Sequence, residues 1–383
     1  MLDFGLSEEQ TAVFEMARRF GLDRLAPGAA QWDEQRTLPV DVLKEAANLG
    51  LAAICAAEEH GGSGLSRLDA ALIFEGLAMG CPSVAAFLSI HNMCAWMVDA
   101  FGSPALRSLW VPRLAAMETI ASYCLTEPGA GSDAAALRTT ATRDDGELVL
   151  NGSKAFISGA GLSGLYIVMC RTGASGPSGI SAVLVEKDTP GLSFGVREKK
   201  MGWNAQPTGM VQFDDCRVPA SNLLGAEGDG FRIAMQGLNG GRLSIAACSL
   251  GAAQTALERA LAYAGERKAF GRTLDQFQAL QFKLADMEIA LQAARVFLRQ
   301  AAWKLDRGTP DAVKFCAMAK CLVTDAAFDA ANAALQVHGG YGYLADFGLE
   351  KIVRDLRVHQ ILEGTNEIMR VITARSLLQE RGR

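Results

Sequence analysis

Glu363 is a carboxylate in an awkward place. It lies in "HQILEGTNEIMR", residues 359 to 370, after the apolar pair Ile361 and Leu362 and directly before Gly364. Beyond the glycine an amphipathic pattern opens, with Ile368, Val371, Ile372 and Leu378 at helical spacing. Two readings follow. The acid can be a solvated turn residue, or it can be a base held away from water, where desolvation raises its pKa and strengthens it.

A dry base needs something to work against, and four other segments carry ligand-facing chemistry. "YCLTEPGAGSD", Tyr123 to Asp133, ends a strand in a loop of small residues. Gly129 and Gly131 would let backbone N–H groups approach a flat or phosphorylated ligand, and Thr126 and Ser132 add hydroxyls. A plain loop leading into a domain would look similar. "NGSKAFISGA" offers Phe156 and Ser158, although on its own Phe156 reads as a core residue. "ERKAFG" sets Arg267 and Lys268 at a helix end. A guanidinium fork matches two phosphate oxygens, yet such basic pairs are commonly just solvated. "QVHGGYGY" closes a helix in Gly339 and Gly340, either as a C-cap or to clear space for a cofactor near Gln336. "GAGLSG", residues 159 to 164, satisfies GxGxxG but runs into the strand-like "LYIVMC". A pyrophosphate would need a helix N-terminus there, so the segment reads as a hairpin loop.

The elements that must hold these groups fall into three sections. Residues 1–118 read as helices, opened by a capping box of Ser7 and Gln10. Further helical patterns follow in "PVDVLKEAANLG", "SRLDAALIFEGLAMG", "PSVAAFLSIHNMCAWMVDAFG" and "PALRSLWVPRLAAM". Residues 119–229 turn to short strands, among them "LYIVMCR", "ISAVLVEK" and "GMVQFDD", which suit a small antiparallel sheet or barrel. Residues 230–383 return to helices, three of them about thirty residues long and a shorter one after Thr365, which implies a bundle.

Composition narrows the class. A chain of 383 residues, 50% hydrophobic and 21% charged with net charge -5, is an ordinary globular protein of two or three domains. It lacks the concentrated basic charge that nucleic acid demands. Nine cysteines without a CxxC pair fit free thiols in a reducing compartment, and four scattered histidines suggest no metal centre. The start, "MLDFGLSEEQ", has no secretory pattern, and no run approaches the roughly 18 to 20 uninterrupted apolar residues of a membrane span. The expectation is a soluble intracellular protein, in the cytoplasm of a bacterium or, as a processed eukaryotic chain, in the mitochondrial matrix.

Taken in order, "YCLTEPGAGSD", "FIS", "NGGR", "ERKAFG", "QVHGGYGY" and "ILEGTNEI" resemble the acyl-CoA dehydrogenase family over essentially the whole chain. The resemblance implies an N-terminal helical domain, a middle β-barrel and a C-terminal four-helix bundle. It also implies FAD, a homotetramer, and electron-transferring flavoprotein as oxidant. By the same carry-over, Tyr123, Leu125, Thr126, Gly131, Ser132, Phe156, Ile157 and Ser158 would hold the flavin ring, with Ser158 near N5. Arg267, Phe277 and Gln278 would bind the adenine dinucleotide half. Gln336, Val337, His338, Gly339 and Gly340 would do so from a neighbouring subunit, as would Thr365, Asn366 and Glu367. Ser132, Asn239, Gly240, Gly241, Arg242 and Arg375 would contact the acyl-CoA. Glu363 would take the α-proton, and its backbone N–H, with a flavin ribityl hydroxyl, would steady the thioester oxygen.

Among the family's branches, "GWNAQPT", "GLNGGR" and "RVHQILEGTNEIMR" are most similar to one that converts isobutyryl-CoA to methacrylyl-CoA in valine breakdown. A 2-methylbutyryl or straight short-chain substrate, an acyl-CoA oxidase, and a non-enzymatic acyl-CoA-binding scaffold are the alternatives. Many members have Trp where this chain has Phe156, Thr where it has Ser158, and an aromatic where it has Leu362.

Overall fold

The computed structural model describes residues 5–381. Its first section is helical: α1 (Glu8–Phe20), α2 (Ala29–Gln35), α3 (Val40–Asn48), α4 (Arg67–Ala78), α5 (Pro82–Phe101) and α6 (Pro104–Ala115). The capping box forms as the sequence indicates: Ser7 Oγ accepts from the Gln10 N–H at 3.1 Å and Gln10 Oε1 from the Ser7 N–H at 3.2 Å. Nothing in the sequence announces α2, because it buries no residue and so carries no apolar stripe. By length and composition α5 could cross a membrane, but most of it is buried within the protein.

The middle section contains β1 (Ala121–Cys124), β2 (Thr140–Asp144), β3 (Glu147–Ser158), β4 (Leu165–Arg171), β5 (Ile180–Glu186), β6 (Leu192–Phe194), β7 (Thr208–Pro219) and β8 (Leu223–Leu224). The order is β6-β7-β3-β2-β4-β5-β8, with β1 parallel to β4. This sheet does not close into the barrel that the resemblance implies. Its path ends at the three-residue β6 and two-residue β8, and β2 meets β4 at a single residue pair. It folds over instead. Leu148, Leu150, Val211 and Phe213 from one half share a core with Tyr166, Val168, Val183 and Val185 from the other. Residues 159–164 lead into a strand, which removes the helix a dinucleotide fingerprint requires. They are not a hairpin, however: β3 pairs with β2 and β7, so the loop crosses to a strand that is not its neighbour.

The last section holds α7 (Gly230–Glu266), α8 (Gln278–Asp306), α9 (Ala312–His338), α10 (Leu349–His359) and α11 (Asn366–Arg381). α7 is buried on nearly every side and is the spine on which α4, α5, α8, α9 and α10 pack. α10 is one helix more than the sequence reading foresaw. Its buried Leu349, Ile352 and Leu356, at i, i+3 and i+7, were a legible signal.

A buried polar lock joins α10 to the middle section. The backbone N–H of Trp203 donates to Asp355 Oδ1 at 2.6 Å, and Lys351 Nζ donates to Asp355 Oδ2 at 2.6 Å. The Trp203 indole N–H donates to His359 Nε2 at 3.0 Å, so Nε2 must be the acceptor and Nδ1 carries the proton toward Ser249 Oγ, 2.7 Å away on α7. Burial lowers the His359 pKa to about 3, which keeps it neutral in that role. Breaking such a pair leaves a bare buried charge. Lys351→Met should therefore cost about 3–5 kcal/mol in a denaturant titration. Adding Asp355→Asn should recover part of that loss, and failure of the double variant to recover any would mean that packing, not charge, dominates there.

Candidate active site

The turn between α10 and α11 carries Glu363. Its backbone is left-handed, φ 57°, and that of Gly364 is at φ 90°. A non-glycine residue in this region costs of order 1–3 kcal/mol and persists only where its surroundings impose it. Thr365 starts α11 beyond the bend, its Oγ1 accepting from the Ile368 N–H at 3.3 Å. Two cations hold the turn by its backbone. Arg242 Nε, on α7, donates to the Glu363 carbonyl at 3.3 Å, and Lys320 Nζ, on α9, donates to the Gly364 carbonyl at 2.9 Å. Arg242 Nη1 also donates to Asn239 Oδ1 at 2.9 Å, and Lys320 Nζ to Asn366 Oδ1 at 2.8 Å.

Neither cation bonds the carboxylate itself. Glu363 Oε2 is buried without a hydrogen-bond partner, and so is the Tyr123 hydroxyl on β1. A methyl group on Gly241 would overlap the Glu363 carboxylate, so only glycine on α7 lets the acid lie there. Burial pushes the Glu363 pKa from about 4.5 up to about 7, against the pull of Arg242 and Lys320. The dryness does not come from Ile361, which is half exposed, and Leu362 packs into the main helical core. The surface of α7 at Gly241 lies against the carboxylate, and Glu363 is near enough to the buried Cys94 and the Tyr123 hydroxyl to help raise their pKa values. The turn residue is thus a carboxylate kept from water and from ion pairing by its neighbours across the fold.

The implied flavin fits the segments around β1 and β3. Phe156 is not a core residue: it stands 69% exposed at φ 60°, where the β3–β7 ladder slips between Lys154 and Ile157. Ile157 turns inward to the sheet core, so it offers a ligand only backbone. Gly129 and Gly131 have open space where a Cβ would be. A residue pair that sequence reasoning passed over clamps the two segments. Lys154 Nζ donates to the Leu125 carbonyl at 3.1 Å and to Glu127 Oε1 at 2.8 Å. Glu127 also accepts from the backbone N–H groups of Arg138 and Thr139 at 2.6 and 2.9 Å. Their signal was one opposite charge inside each motif.

The remaining expected residues divide. Arg267, Val337, His338, Gly339 and Gly340 line a cavity of about 390 Å³ with Tyr263 and Leu274, and Glu363 is not in its wall. Arg267 lies over the Tyr341 ring at 5.4 Å and His338 stacks on Tyr263 at 4.2 Å. Gln336 is exposed beside them. Phe277 and Gln278 stand at the start of α8, Phe277 under the Arg272 guanidinium at 4.0 Å. Asn239, Gly241 and Arg242 reach the Glu363 turn, whereas Gly240 faces Arg67. Ser132, Glu367 and Arg375 are exposed. Asn366 departs from expectation: its amide donates to Thr324 Oγ1 at 3.0 Å and Asp325 Oδ1 at 2.7 Å and accepts from Lys320, so that side chain braces α9 and is not free for a ligand.

Domain families described as acyl-CoA dehydrogenase N-terminal, middle and C-terminal domain match residues 7–118, 122–216 and 228–378. The chain belongs to the acyl-CoA dehydrogenase family. It is 55% identical to the mitochondrial isobutyryl-CoA dehydrogenase of Bos taurus over 98% of its own length and 90% of the relative's. The solved butyryl-CoA dehydrogenase of Megasphaera elsdenii superposes with a TM-score of 0.95 at 38% identity, covering 98% of this chain and 100% of that one. The FAD complex of PigA does so with a TM-score of 0.95 at 33% identity, covering 98% and 99%. The protein is accordingly an oxidoreductase of that family.

Two outcomes follow. Lys154→Met leaves Glu127 buried and unpaired, so it should lower flavin retention through gel filtration, read as the 450 nm to 280 nm ratio, and adding Glu127→Gln should restore part of it. Glu363 holds a proton in the fold between about pH 4.5 and 7 that the unfolded chain releases, so its burial costs nothing below that window and its full cost above. Glu363→Gln should thus melt higher than wild type at pH 8, with the gap shrinking as pH falls through the window and closing near pH 4. A pH-independent difference would contradict the dry carboxylate.

Proposed function

We propose that this protein is an FAD-dependent dehydrogenase of a short branched acyl-CoA, converting isobutyryl-CoA to methacrylyl-CoA in valine breakdown, with Glu363 as the α-proton base. The observation that carries the reading is the buried, unpartnered Oε2 of Glu363, in a left-handed turn that both neighbouring cations hold by backbone alone. FAD, when bound, supplies the acceptor for the hydride that leaves Cβ. The protein's residues do the rest. Glu363 takes the α-proton, and its pKa near 7 suits a base working at neutral pH. The backbone N–H of Glu363 remains available for the thioester oxygen, and such a donor is worth roughly 3–4 kcal/mol in comparable sites. Arg242 keeps the turn in register, and Gly241 on α7 leaves room for the carboxylate.

Substrate identity rests on the 55% identity to the bovine enzyme, whose name is isobutyryl-CoA dehydrogenase. Ser132 and Arg375, both exposed, are the residues proposed to contact the CoA moiety. Electron-transferring flavoprotein is the proposed electron acceptor, in the mitochondrial matrix or the bacterial cytoplasm according to source. A homotetramer is the proposed assembly. An apolar groove of about 1120 Å³ between α8, α9 and α11, with Phe282, Leu322 and Leu377 exposed along it, supports burial against further copies. The separate cavity at Arg267 and Gly339 also fits a cofactor shared between two chains.

Anaerobic mixing with isobutyryl-CoA should bleach the flavin band at 450 nm. Glu363→Gln should keep its FAD and slow that step by about 10²–10⁴-fold or more. In wild type kcat/KM should rise about tenfold per pH unit toward pH 7 and then level, as the carboxylate loses its proton. A Glu363→Gln enzyme bleaching near the wild-type rate would remove the assignment.

A further inference from the structure

Against Gly240 on α7, at the edge of a small cavity that Gly241 also bounds, lies the half-buried Arg67. It is the first residue of α4, and its backbone N–H donates to Asp306 Oδ1 at 2.7 Å, next to the Leu68 N–H on Oδ2 at 3.1 Å. Asp306 therefore caps α4 and leaves the guanidinium unpaired. Among the described residues no carboxylate forms an ion pair with the Arg67 guanidinium, and no hydrogen bond from it is present. It lies flat on Trp96 of α5, 4.4 Å from the ring centroid, and a methyl group on Gly240 would come within 2.5 Å of its Nη1. Gly241, which makes room for the Glu363 carboxylate, and Gly240, which makes room for the guanidinium, bound one small cavity together with Arg67.

The space around it is nearly full. The cavity bounded by Arg67, Phe74, Ser89, Asn92, Met93 and Gly241 holds about 10 Å³, no more than one water. Its other polar groups are committed: Ser89 Oγ donates to the Ala86 carbonyl, Ser244 Oγ to the Gly240 carbonyl, and the Asn92 amide to the Leu51 and Leu88 carbonyls. The guanidinium is the one group there without a fixed acceptor. An apolar chain reaching it would have to lift it from Trp96 or press against a cation that has no hydrogen-bond acceptor on that side, and both are costly.

We propose that Arg67, laid on Trp96 behind Gly240, is the end wall of the acyl pocket and limits the enzyme to short acyl groups. The inference rests on the reading that Glu363 works on an acyl-CoA. A four-carbon branched acyl group at Glu363 ends before the guanidinium; a longer straight chain runs into it.

The test is kcat/KM over isobutyryl-, butyryl-, hexanoyl- and octanoyl-CoA with an artificial electron acceptor, for wild type, Arg67→Ala and Arg67→Met. Wild type should lose about a hundredfold or more between four and eight carbons, since one methylene alone is worth about 10–200-fold in a closed pocket. Arg67→Ala should raise the octanoyl to isobutyryl ratio about tenfold or more. Arg67→Met keeps most of the volume and should raise it less. The wall is overturned if wild type accepts octanoyl-CoA as readily as isobutyryl-CoA. It is equally overturned if Arg67→Ala, with native flavin content, keeps the wild-type ratio. Wild type inactive on all four thioesters would overturn the dehydrogenase reading instead.

Discussion

An unpaired carboxylate in a dry site is the constraint around which this fold is arranged. Leaving an ionisable group buried without a partner costs free energy, and the usual remedy is a nearby guanidinium or ammonium. Here both cations are present, yet Arg242 and Lys320 bond the carbonyls of Glu363 and Gly364. They fix the position of the acid without neutralising it. A direct ion pair would depress the pKa, whereas backbone anchoring leaves burial free to raise it.

That arrangement demands a rigid frame, and the frame is built from three directions. α7 presents Gly241, the only residue type that leaves room for the carboxylate, and α9 presents Lys320, itself braced by Asn366. α10 brings the turn in from the other side, pinned by Asp355 and His359 to Trp203 and by His359 to Ser249. Each bond in that lock is made by a group that is neutral by burial or paired within it. The left-handed backbone at Glu363 is thus sustained by contacts spread over two sections of the chain, which is the condition under which such strain persists.

The sequence exposed some of this and hid the rest for identifiable reasons. Helices with strong apolar periodicity, strands with β-branched runs, and the Ser7–Gln10 capping box were legible because their signals are local. α2 was not, since it buries nothing, and the open sheet was not, since closure depends on how many residues β2 and β4 share. Glu363 stood out as an acid between apolar residues, but its surroundings were not legible locally: Ile361 is half exposed, and Gly241, which lies against the carboxylate, is far away in the chain. Phe156 reversed likewise, because a bulge one residue long decides which way a side chain on a strand points.

The Lys154–Glu127 pair and the Lys320 anchor share a logic that sequence motifs conceal. Motif residues such as Thr126, Ser158 and Glu363 stand out because the family resemblance assigns them to ligands, while the charges between them look like surface decoration. In the fold those charges are the most deeply buried polar groups nearby: Lys154 and Lys320 are each fully enclosed. A lysine whose ammonium lies 2.8–3.1 Å from two acceptors in a closed site defines the spacing of the segments it joins more tightly than apolar packing would. The turn at Glu363 and the order around Phe156 both depend on such enclosed ammonium groups, so conservative replacement by arginine, with its longer planar head, is expected to disturb each segment nearly as much as deletion of the charge.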